Sequence, residues 1–233
     1  MTSRSFQFIP LALAALFAAG ALVAEAQEHR VEALNAPAPA ESIPKEIHGR
    51  LAETGLKVLR GSSRTVCDLW FCQKLPTTTE FKPTPDRLYP FQPGDLIGVL
   101  RFPRRGKDFR DQQISRGVYT LRYALQPIDG NHVGTSPTRD FLLLVKAEDD
   151  APQKQWTAEE LNAASAAAAG SSHPAMLCLQ PARSERTEPT MRHDEEKDWW
   201  ILQWRAQAAP PGSAEAAAEP LPIDLIIAGH ADE

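Results

Sequence analysis

What the chain lacks narrows it before anything it contains. It has only 3 cysteines in 233 residues, too few and odd in number for the disulfide framework of a small secreted domain. Cys67 and Cys72 are five positions apart, so in one continuous strand they point to opposite faces and cannot bond each other. A bond from either to Cys178 would leave a free thiol, and three buried cysteines acting as small hydrophobes fit equally well. Short paired spacings of cysteine and histidine, which a zinc site needs, are missing. A basic stripe is missing too: 25 Lys and Arg against 30 Asp and Glu give a net charge of −5, which leaves no electrostatic footprint for nucleic acid. No nucleophile elbow, phosphate loop or zinc-protease helix is written anywhere, and no solenoid repeat. The residues imply no cofactor and no metal.

Long apolar runs are confined to the first 26 residues. Arg4 supplies a positive n-region, Phe6 to Val23 an apolar h-region, and Ala24-Glu25-Ala26 the small-x-small pattern before Gln27. That apolar run, about 18 residues, is broken by Pro10 and Gly20 and is short for a bilayer span. The pattern predicts an export signal over 1–26, hence a periplasmic or extracellular protein with no membrane span once the signal is removed. A Pro/Ala-rich flexible leader follows over 27–41, then a single domain over 42–233.

The clearest order lies between Ile114 and Lys146. Tyr119, Leu121, Tyr123 and Leu125 alternate with Val118, Thr120, Arg122 and Ala124, the period of two of a strand with one face on a core. Phe141 to Val145 is apolar throughout, as for a strand covered on both faces. Further strands are expected at Leu56 to Arg60, Thr65 to Leu75, Leu96 to Phe102, Ala175 to Gln180, Trp199 to Ala206 and Leu221 to Ala228, where Pro222 favours an edge. Arg104 to Gln113 reads as a charged loop or hairpin tip, and the proline-rich residues 76 to 94 as a surface connection anchored by Phe81, Leu88, Tyr89 and Phe91. Ser42 to Thr54 reads as a short helix with Ile43, Ile47 and Leu51 on one edge. Thr157-Ala158-Glu159-Glu160 is a capping box opening an Ala-rich surface helix that Gly170 ends. Many short strands with Pro/Gly-rich turns and two modest helices predict an all-β fold, an antiparallel β-sandwich of about eight strands.

The residues that offer chemistry are few. Asp129, His132 and Asp140 belong to a turn of about a dozen polar residues, longer than a hairpin needs, where two carboxylates and an imidazole would converge on a cation or a sugar hydroxyl. Ordinary turn chemistry accounts for the same residues. The run Arg192 to Asp198 reads as a solvated loop, since His193 and Asp194, as neighbours, rarely aim at one atom. Glu80, Asp95, Asp140 and Asp224 are formally free to pair for glycoside hydrolysis, which singles out none of them. Trp70, Trp199, Trp200 and Trp204 offer an aromatic platform; Trp199 and Trp200 cannot both face inward, so one is exposed or lies under a loop.

The strand GVYTLRYALQP resembles the G-x-Y-x-L strand of secreted β-sandwich modules, and GVYTLRY with DFLLL resembles exported bacterial β-sandwich proteins of unassigned function. The likeness covers Leu56 to Lys146 and carries no catalytic residue with it. The resulting expectation is a non-catalytic, exported module that binds a protein or a glycan in the cell envelope, with Asp129, His132, Asp140 and Trp199 as candidate contacts. The alternative is a metal-dependent or hydrolytic enzyme built on the 127–140 loop.

Overall fold

The computed structural model describes residues 28–78, 80–129, 136–183, 187–209 and 218–231. The expected signal over 1–26 and the candidate His132 lie outside them. No helix among the described residues is long and apolar enough to cross a membrane.

The chain is all-β in character. His29–Leu34 (β1) pairs antiparallel with Gly55–Arg60 (β2), which turns back through three residues into Arg64–Phe71 (β3). Lys45–His48 (α1) lies between the first two strands, and the two-residue Leu75–Pro76 (β4) follows the third. Leu96–Phe102 (β5) joins β3 on its far side. The charged tip is a small ribbon of Gly106–Lys107 (β6) and Gln113–Ile114 (β7). Gly117–Leu125 (β8) and Asp140–Lys146 (β9) then form the long hairpin legible in the sequence, with Tyr119 opposite Lys146 and Leu125 opposite Asp140.

Ala158–Ala169 (α2) follows, with both halves of its capping box formed and Gly170 left-handed at its end. Met176–Gln180 (β10), Thr190–Asp194 (β11), Trp199–Ala209 (β12) and Glu219–Ala228 (β13) complete the set. Eleven of the strands form one sheet in the order β1-β2-β3-β5-β8-β9-β10-β13-β12-β11, with β4 added in parallel to β12.

The sandwich expectation is met only in its strand content. β10 pairs with β9 through Met176 to Cys178 and with β13 through Leu179 and Gln180, so one strand belongs to both halves and the sheet is continuous. The sheet curls far enough that Phe71 on β3 stacks on Trp204 of β12, at 4.0 Å between ring centroids. The strand count rises because three pieces were expected elsewhere. Residues 29–34, placed in a flexible leader, are an edge strand; 190–194, which takes in the first part of the expected solvated loop at 192–198, is the other edge; and 75–76 is a short add-on.

Alternation sorts the side chains as expected. Cys67, Leu69, Leu121, Tyr123, Leu142, Leu144, Leu202 and Trp204 fill the interior of the curl. On β9 the other face, Phe141, Leu143 and Val145, is covered by Leu161 of α2 and by Trp199 and Ile201 of β12, which is why that strand reads as apolar throughout. Helix α2 therefore seats more firmly than its composition implies. Leu161, Ser165 and Ala168 are buried, and the Ser165 hydroxyl donates to the Ala175 carbonyl at 2.8 Å.

All three cysteines are buried free thiols, so neither bond to Cys178 forms. Strand β13 is internal rather than an edge. Its proline stretch still obeys the rule, because Pro220 and Pro222 lie outside the part that β10 pairs, and a missing N–H breaks no ladder there.

One end of the curl is plugged. The expected Ser42–Thr54 helix shortens to α1 after Pro44, but Ile43, Ile47 and Leu51 all reach the core. The proline-rich connection folds over the same end, with Tyr89 and Phe91 buried and their rings stacked 5.8 Å apart. Tyr89 donates its hydroxyl proton to the Gln180 carbonyl at 2.7 Å and accepts from the Asp224 amide at 3.0 Å, tying plug to wall.

Candidate functional site

The other end of the curl is open. Here β1, β3 and β12 begin and β2 and β13 end, and the β6–β7 ribbon stands beside them. The resulting cleft has a volume of about 660 Å³, within the range of small-ligand sites, and the mouth of a curled sheet is a common place for one.

Two cross-strand rows form its sides. On the first, His29 lies opposite Arg60, and Arg60 opposite Arg64, so three basic residues stand abreast across β1, β2 and β3. On the second, His193 of β11 lies opposite Trp200 of β12, and Trp200 opposite Ala228 of β13. The rows meet where the two edge strands approach without pairing, with the His29 and Trp200 rings 4.9 Å apart and tilted by 46°.

Trp200 is held in place from behind. The His193 ring stacks on it at 4.1 Å and 9°, and Nε2 of His193 is 2.8 Å from Oδ1 of Asp198. Asp198 reaches that position from the β11–β12 turn with φ 50°, a left-handed conformation that aspartate tolerates better than most residues. His29 is only 8% exposed, and its Nδ1 has no hydrogen-bond partner among the described residues. Burial, then the Arg60 charge, lower the pKa of His29 to about 4, so it is neutral at pH 7.

The cleft is basic. Arg60, Arg64, Arg104, Arg105 and Lys107 line it together with Asp108, Asp111 and Asp198. Those carboxylates are occupied. Asp108 is buried and accepts from the Arg110, Gln112 and Met176 amides and the Gln112 side chain, Asp111 pairs with Lys107 at 2.6 Å, and Asp198 holds His193. Arg60, Arg64 and Arg104 have no carboxylate partner among the described residues. A second depression of about 810 Å³ lies beside the end of α2, lined by Arg101, Arg116 and Lys146 with Glu41 and Glu148; Arg101 is paired with Asp68, and no indole lines it.

The residues expected from sequence go elsewhere. Asp140 is 0% exposed and structural: its carboxylate accepts from the Leu88 amide at 3.0 Å, the Tyr89 amide at 3.3 Å and the Tyr123 hydroxyl at 2.6 Å. Burial raises its pKa, against the pull of those three donors. Asp129 is described, but its partner in the expected cluster, His132, is not. Among the described residues no group of three His, Cys, Asp or Glu side chains is placed to hold a metal ion.

Trp199 is no binding surface. It is 3% exposed, its indole N–H donates to the His230 carbonyl at 2.8 Å, and its ring meets Phe109 of the charged tip edge-on at 5.6 Å. It is the tryptophan under a loop, and Trp200 is the half-buried one facing the cleft. Asp95 accepts from the Gln92 amide, and Asp224 accepts from the Gln203 side chain across the β12–β13 ladder.

His29, Arg60 and Arg64 carried no signal as a site. The one hint available was that Arg60 and Arg64 flank the three-residue turn Gly61-Ser62-Ser63, which places them abreast in any hairpin. No family model matches this chain, and no curated protein and no solved structure shows significant similarity to it.

Proposed function

We propose that this chain is an exported, non-catalytic module of the cell envelope whose ligand, a glycan segment or a group of similar size, sits in the open-mouth cleft with a flat face on Trp200. One observation carries the binding reading: an indole backed by His193, in a cleft lined by cations that have no carboxylate partner among the described residues. A ligand here gains stacking on the indole and charge-assisted hydrogen bonds from the guanidinium groups. Support for export rests on the residues of 1–26 alone. We also read the curl as two facing layers in the manner of the secreted β-sandwich modules that GVYTLRY resembles; the Phe71–Trp204 stack across the interior supports that reading.

The binding half is tested by titrating the mature chain with a panel of soluble envelope oligosaccharides while following the indole N–H signals in a ¹⁵N-correlated NMR spectrum. The Trp200 signal moves first, and Trp200→Ala abolishes the response. A ligand that binds with Trp200 unmoved overturns the assignment of the cleft. The export half is tested by expressing the full chain, fractionating the cells and sequencing the mature N-terminus. Gln27 is the expected first residue, and a cytoplasmic product retaining residues 1–26 overturns it.

A further inference from the structure

We propose that the ligand of this cleft is an acidic saccharide, its ring on Trp200 and its carboxylate or phosphate ester between Arg60 and Arg64. This inference rests on the binding reading above and adds the ligand's charge.

The argument begins with a mismatch. The chain carries a net charge of −5, yet its open mouth collects four arginines and a lysine. Arg60 and Arg64 are direct cross-strand partners, an arrangement in which like charges destabilise a sheet. His29 stands next in the same row as a neutral imidazole, so it adds no charge. Arg105 is steadied by a hydrogen bond to Gln113 at 3.0 Å and Lys107 is tied to Asp111, while Arg60, Arg64 and Arg104 meet no carboxylate among the described residues.

An anion placed between Arg60 and Arg64 removes their repulsion and receives charge-assisted, bidentate hydrogen bonds. An anion alone leaves the indole unused. A neutral sugar uses the indole and leaves the guanidinium groups unpaired. A saccharide ring bearing an acid uses both. A cleft of about 660 Å³ takes a short oligosaccharide end.

The experiment is isothermal titration of the intact mature chain with trigalacturonate and glucose 6-phosphate as acidic probes, and maltotriose and inorganic phosphate as controls. Arg60→Gln, Arg64→Gln and Trp200→Ala are titrated alongside, with thermal melts to confirm folding; Arg60 and Arg64 are exposed, so their replacement leaves the fold intact.

At least one acidic probe binds roughly tenfold or more tighter than maltotriose and than inorganic phosphate, weakens as salt rises, and loses roughly tenfold in each arginine variant. Which acidic probe binds assigns the anion as carboxylate or phosphate ester. Binding of neither acidic probe, or equal binding of maltotriose, overturns the proposal. If maltotriose binding is itself lost in Trp200→Ala, the cleft stands and only its charge preference falls. Inorganic phosphate binding as tightly as glucose 6-phosphate overturns the role of the ring. Acidic-probe binding that survives Trp200→Ala unchanged removes both this proposal and the cleft reading beneath it.

Discussion

Arg122 on β8 and Asp150, in the connection after β9, face each other in the protein interior through two parallel hydrogen bonds. The Nε–H donates to Oδ2 at 2.9 Å and an Nη2–H to Oδ1 at 2.8 Å, with the side chains 3% and 0% exposed. Thr120 also donates to Asp150, and Arg122 also donates to the Gly94 and Ala151 carbonyls. The pair thereby fastens the entrance to the α2 connection and the end of the proline-rich plug to one central strand.

Removing one member strands a buried charge. Asp150→Leu and Arg122→Met are each expected to cost about 3–5 kcal/mol in urea-denaturation experiments. The double variant Arg122→Met/Asp150→Leu recovers much of that loss, and the unpaired Thr120, Gly94 and Ala151 groups keep the recovery incomplete. Additive losses in the double variant would show that the two residues do not act as a pair.

Asp140 acts as a clasp for the plug. Asp140→Ala leaves the Leu88 and Tyr89 amides and the Tyr123 hydroxyl without an acceptor, and a loss of about 3 kcal/mol is expected. Tyr123→Phe, which removes one donor and keeps the ring, costs about 1 kcal/mol. In hydrogen-exchange mass spectrometry the segment carrying Leu88 and Tyr89 loses protection in Asp140→Ala before the rest of the sheet does. Unchanged exchange there would rule out the clasp.

His29 makes acid unfavourable. Its pKa falls from 6.5 in the unfolded chain to about 4 in the fold, so between those values the unfolded state takes up a proton that the native state refuses. Its contribution is therefore present above pH 6.5 and is lost as the pH falls toward 4. Asp95, Asp108, Asp140 and Asp224 have raised pKa values through burial and work in the opposite sense, so the wild-type profile is a sum. The comparison that isolates His29 is the fall in Tm from pH 7 to 4.5 in the wild type against His29→Gln. The variant is expected to lose a few degrees less. Equal losses would mean that burial does not hold His29 neutral.

Much of this molecule could be read from the chain. The alternation in Gly117–Leu125 and the continuous apolar run of Asp140–Lys146 state how each face is covered, because burial selects the side chains directly. The capping box of α2 and the β6–β7 tip are local in the same sense, their hydrogen bonds closing within a few residues. Alternation also shows that Trp199 and Trp200 face opposite ways.

What it leaves open is which partner covers which face. That Phe109 and His230 bury Trp199 while Trp200 borders a cleft depends on how the sheet curls, and the curl depends on β10 joining two ladders. Periodicity records that a face is buried and says nothing of what buries it. For the same reason Asp140, conspicuous in a polar turn, became a structural acceptor. The candidate site gathers His29, Arg60, Arg64 and Trp200 from strands far apart in sequence, and only the approach of the two sheet edges makes them neighbours.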